Sequence, residues 1–135
     1  MIIGTTEQGL KFFTMNDGKL SLSGNPLNFE IPFSEIPYSY NGMAISASEK
    51  KVYFLIWMNN DEDFYAIEKT IDGWSQPRSL GKEVNSFKTH WQFSVSMNEN
   101  LYFSSKGIKL AVYNESSYLK PIPLILEDNS ELRGG

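Results

Sequence analysis

The chain has 135 residues, 41% of them hydrophobic and 14% aromatic, which is enough apolar surface for one ordered, soluble domain and too little length for separate cofactor and substrate lobes. Sixteen acidic against twelve basic side chains give a net charge of −4, so the basic footprint of a nucleic-acid binder is absent. With no cysteine and His90 as the only histidine, disulfides, thiol nucleophiles and metal sites built on two histidines are excluded, and no cofactor is expected.

Strand signals follow one another along the chain, and no dozen-residue window keeps a helical apolar stripe. They fall at 2–5, 10–15, 19–23 and 27–33, then at 42–47, 51–58, 63–70 and 74–79, and finally at 91–96, 100–105, 108–114 and 118–125. Turn compositions separate them, among them Asn16-Asp17-Gly18, Asn59-Asn60-Asp61-Glu62 and Met97-Asn98-Glu99-Asn100. No apolar run approaches the roughly 18 residues of a membrane span and no secretory leader is visible, so a cytoplasmic chain without membrane contact is expected.

The strands repeat. Lys51-Val52-Tyr53-Phe54-Leu55 answers Asn100-Leu101-Tyr102-Phe103-Ser104 at a spacing of 49 residues, and a weaker copy at Lys11-Phe12-Phe13-Thr14 precedes the first of them by 41. Phe54 and Phe103 hold equivalent positions and are expected to be buried. Each copy ends on a proline-bearing segment, at Phe29-Glu30-Ile31-Pro32, Trp74-Ser75-Gln76-Pro77 and Leu119-Lys120-Pro121-Ile122-Pro123, and such strands belong at a sheet edge. The reading is all-β: twelve strands in three four-stranded antiparallel propeller blades over about 1–37, 38–86 and 87–127, followed by a polar tail at 128–135.

From Gly73-Trp74-Ser75-Gln76-Pro77 through Leu80-Gly81 and Val84-Asn85 to Leu101-Tyr102-Phe103-Ser104-Ser105, the sequence resembles the repeats of TolB-like six-bladed β-propellers. The match covers residues 72–107. The family's Pro-Asp-Gly turn is aligned with Ser96-Met97-Asn98-Glu99 and with Ala47-Ser48-Glu49-Lys50. The resemblance implies a ring of six blades. Three blades leave two blade faces bare, and a head-to-tail homodimer supplies the missing three. A piece of a longer chain, or a closed barrel or sandwich, are the alternatives.

In a propeller the loops entering the first strand and those between the second and third share one face, where ligands bind. That places Tyr40, Asn41, Trp57, Asn59, Asp61, His90 and Trp91 together as candidate ligand-binding residues, with Glu7, Glu49, Lys50, Lys51 and Glu99 as solvated charges on the opposite face. Aromatic faces with an imidazole and an amide suit a peptide, protein or carbohydrate. His90 is equally read as a structural loop histidine, Trp74 as packing, and 59–63 as a hairpin turn, because it lacks the glycine and glutamate of a calcium loop. The function expected is a non-enzymatic binding module. The alternative is a small propeller enzyme for glycan or ester hydrolysis or lyase chemistry, with His90 and Asp61 or Glu62 in its site.

Overall fold

The computed structural model describes residues 2–6, 9–22, 38–58, 60–87 and 92–125, with side chains over 12–22, 42–58, 60–87 and 92–125. It is all-β, in antiparallel sheets that follow one another along the chain. No helix among the described residues is long and apolar enough to cross a membrane.

The first sheet pairs β1 (Ile2–Thr6), β2 (Gly9–Asn16) and β3 (Lys19–Leu22) in sequence order. Its second hairpin turns on Asp17 and Gly18, both at positive φ (51° and 77°), the backbone that a two-residue turn needs to match the strand twist. The strand expected over 27–33 lies outside the described residues.

The middle sheet runs β4 (Tyr38–Ile45), β5 (Lys51–Met58) and β6 (Asp61–Thr70), edged by β7 (Gly73–Trp74) and β8 (Arg78–Ser79). Both short strands pair with β6, so the single strand expected over 74–79 is split. Pro77 stands at the break, where it has no N–H to give the ladder. β4 also starts earlier than the expected 42–47, taking Tyr40 and Asn41 out of a loop and into a strand. One helical turn, α1 (Lys82–Asn85), follows, and no helix was expected there. Val84 is fully buried, and Asn85 accepts from the Phe64 N–H at 2.7 Å while its amide donates to the Phe64 carbonyl at 3.1 Å. The side chain thus completes the outer edge of β6 as a strand would, which is the physical content of the Val84-Asn85 pair in the repeat.

The third sheet contains β9 (Phe93–Val95), β10 (Leu101–Ser104) and β11 (Ile108–Ala111). After it β12 (Tyr113–Asn114) and β13 (Ser117–Tyr118) form a small hairpin of their own, and β14 (Ile122–Pro123) returns to pair with β11. The strands expected over 108–114 and 118–125 are therefore each broken in two. Glu115 and Ser116, at φ 46° and 81°, turn the chain out of the sheet between them. Pro123 sits on the edge strand, as its missing donor requires.

The three sheets stack face to face. Along β5, Tyr53 and Leu55 point towards the third sheet and join Phe64, Ala66, Leu101, Phe103 and Ala111 in one core. Val52, Phe54 and Ile56 point the other way, into a second core with Phe12, Tyr65 and Ile67. This is strand alternation with both faces covered, so β5 reads as an unbroken apolar run. Phe54 (0% exposed) and Phe103 (2%) are buried at the equivalent positions that the repeat indicated. Trp74 stacks on Phe12 at 5.0 Å with the rings 9° from parallel, tying the edge of the middle sheet to the first.

Candidate functional site

One end of the middle sheet gathers the start of β4, the end of β5 and the start of β6. Backbone pairing sets Ser39 opposite Trp57, Tyr40 opposite Ile56, and Met58 opposite Asp61. A bulge between Tyr40 and Gly42 leaves Asn41 outside the ladder, a device that re-aims a strand next to functional sites. After six buried residues β5 closes with Trp57, which is 40% exposed, and the half-buried Met58. Asp61 is no loop residue: it opens β6, and its carboxylate accepts the Glu62 N–H at 2.9 Å.

Three carboxylates therefore follow in succession, and alternation divides them. Glu62, opposite Trp57, is buried on the side facing the third sheet. Asp61 and Asp63 lie on the other side with Tyr65. Burial, and then the charge of Asp61, hold the Asp63 carboxyl above its ordinary value, and burial followed by Asp63 raises the Tyr65 hydroxyl. Of the seven candidate residues, Trp57 and Asp61 come together with the backbone of Tyr40 and Asn41. The side chains of Tyr40 and Asn41, and Asn59, His90 and Trp91 altogether, fall outside the described residues.

The opposite end of the sheets departs from the expectation of solvated charges. Lys51 is buried at 9% exposure, and its ammonium lies 3.2 Å from Glu99, 3.5 Å from Glu68 and 3.4 Å from the Tyr113 hydroxyl to which it donates. The Tyr113 ring centroid is 4.5 Å from the same nitrogen. Tyr53 donates its hydroxyl proton to the Glu99 carboxylate at 2.9 Å, and Tyr118 donates to the Glu99 carbonyl at 2.8 Å. Burial by itself pulls Lys51 down, but Glu99 and Tyr113 outweigh it and the ammonium titrates above its ordinary value. Burial pushes Tyr118 up to about 12 and Tyr53 up further.

Two matching turns create this knot. Ser46 and Ser96 each accept a backbone N–H at 3.1 Å, from Lys51 and Asn100, while Glu49 and Glu99 follow at φ 59° and 65°. Ser46-Ala47-Ser48-Glu49 is thus the structural equivalent of Ser96-Met97-Asn98-Glu99, one residue earlier than the sequence alignment set it, with Lys50 as an extra residue. Glutamate fills the left-handed slot that suits glycine. Beside the knot a groove of about 320 Å³ is lined by Lys51, Arg78, Ser79, Tyr113 and Ser116 among others. Lys51 is already held there by two carboxylates and a hydroxyl, which makes the cluster a clasp between the middle and third sheets. The sequence signal for it was the tyrosine at position 53 and the glutamate that replaces glycine at 99.

No family model matches the chain, and neither does any curated protein or any solved structure.

Proposed function

We propose that the chain is a non-enzymatic binding or interaction module made of β-propeller blades, which takes its ligand at the end of the sheets marked by Trp57. Three consecutive antiparallel meander sheets stacked face to face support the blade reading, and the resemblance of residues 72–107 to TolB-like repeats favours a ring of six. The observation that carries the binding reading is Trp57 itself, a large flat apolar side chain left 40% exposed at the end of an otherwise buried strand. Such a face stacks on a ring or a cation. The net charge of −4 and the exposed carboxylate of Asp61 at the same end of the sheet make a basic peptide the favoured member of the peptide, protein and carbohydrate classes.

The test is a titration of the parent and of Trp57→Ala with lysine- and arginine-rich peptides, acidic peptides and neutral glycans, read by calorimetry. Binding of basic peptides by the parent alone supports the site. Equal binding by Trp57→Ala, or no binding by the parent, overturns it.

A further inference from the structure

We propose that two copies of this chain dock head to tail, the outer face of the first sheet of one copy seating on the outer face of the third sheet of the other, twice around a closed ring. The inference rests on the blade reading and names the partner. Its basis is that the middle sheet presents one face to the sheet before it and one to the sheet after it. Phe12, Tyr53 and Tyr102 are equivalent; Phe12 faces the middle sheet, Tyr53 the third, and alternation turns Tyr102 outward. Phe13, Phe54 and Phe103 are the opposite set; Phe54 faces the first sheet, Phe103 the middle one, and Phe13 faces outward. The chain therefore ends with one unused face of each kind, and the two internal junctions already display how such faces fit.

Both unused faces are apolar. On the first sheet Phe13 pairs across the ladder with Leu22, and Met15 with Leu20. On the third sheet Tyr102 pairs with Leu110, which pairs with Ile122, and the Leu124 N–H reaches the Ile108 carbonyl at 2.8 Å. Six of the eleven exposed large hydrophobic residues among those described, Met15, Leu20, Leu22, Ile108, Ile122 and Leu124, lie on these two faces. Each leaves on the order of 100 Å² open, so two junctions together cover roughly 1,200 Å², the lower bound for a specific protein interface. The internal junction also gives the register. Phe103 meets Phe64 edge-on at 5.4 Å, and the positions equivalent to these are Phe13 and Ile108. Leu22, beside Phe13, then lies near Ile108 of the other copy.

Sedimentation velocity on the full chain, with Leu22→Glu and Ile108→Lys, tests this. Both residues are exposed (52% and 48%), so each variant is expected to keep the strand circular dichroism of the parent. The parent should sediment at twice 15.4 kDa and each variant at 15.4 kDa. An equal mixture of the variants should regain the two-chain species, because one junction then holds a glutamate against a lysine and the other is native. A monomeric parent, a ladder of larger species, variants that still pair, or a mixture that stays monomeric each overturns the proposal. The peptide titration of Trp57 is read separately, so loss of assembly with that binding intact condemns the dimer alone.

Discussion

The middle sheet and the first sheet obey the same strand alternation with opposite outcomes. In β5, Lys51 through Ile56 are all buried, whereas all four residues of β3 are exposed. The difference is position in the stack and in the sheet, since β3 is the edge strand of the first sheet among the described residues. A strand in an inner layer sees apolar neighbours on both faces, and one in an end layer sees them on one. An apolar residue on an end face thus reports on what lies outside the chain, while the same residue in the middle sheet reports on the fold.

Truncations give the sharpest version of this comparison. Phe54→Ala and Phe103→Ala should each cost about 3–5 kcal/mol in denaturant unfolding, since each empties a closed inter-sheet core. Leu22→Ala, at concentrations that hold single chains, should cost less than about 1 kcal/mol, because its side chain is half exposed. Equal losses at Leu22 and Phe54 would break the distinction between inner and end faces.

The twin turns offer a second, smaller contrast. Glu99→Gly relieves a left-handed backbone but removes the partner of Lys51 and Tyr53, and should cost about 2–3 kcal/mol. Glu49→Gly, at the same backbone conformation, should change stability by no more than about 1 kcal/mol. Melting temperatures of the two variants decide whether the clasp or the turn geometry carries the stability.

The clasp also sets an alkaline limit. Tyr118 is raised from 10.0 to about 12 and Lys51 is raised above 10.5, so in both the folded state holds the proton more tightly than the unfolded chain. Their contribution is complete below pH 10 and is lost as pH rises; for Tyr118 the loss runs towards pH 12 at on the order of 1 kcal/mol per pH unit, and Lys51 acts in the same direction. Tyr118→Phe should flatten that slope in unfolding measured from pH 9 to 12; an unchanged slope would detach the tyrosine from it.

At the Trp57 end the sign is the same, but the pH window lies in acid, so the penalty is already present at pH 7. Asp63 is raised, so its ionised form is disfavoured in the fold and stability declines as pH rises through its folded value. Asp63→Asn should stabilise the protein at pH 7, by less than about 1 kcal/mol after solvent screening, and the gain should vanish in acid. A loss at pH 7 would show the carboxylate to be structural.

Much of the architecture was legible in the residues. The aromatic and β-branched runs at 51–58 and 100–105, the Asp17-Gly18 turn and the edge prolines are local signals, because strand, turn and edge preferences act within a few residues. The split of 74–79 around Pro77, the departure of β12 and β13 from the third sheet, and the early start of β4 were not legible, since each depends on which neighbour completes the hydrogen bonds. The candidate site divides the same way. Trp57 and Asp61 were candidates from their places late in one strand and in the following turn, but that Glu62, opposite Trp57, is buried while Asp61 and Asp63 face the other side follows from the register of β5 on β6.

By itself the sequence determined an all-β chain of antiparallel strands with Phe54 and Phe103 in the core, because strand and turn chemistry are written residue by residue. Only the tertiary structure decided that Lys51 and Glu99, 48 residues apart and apparently solvated charges, meet across two sheets in a buried clasp. Their pairing is a property of sheet stacking, in which residues remote in sequence share one desolvated space, and no local pattern encodes it.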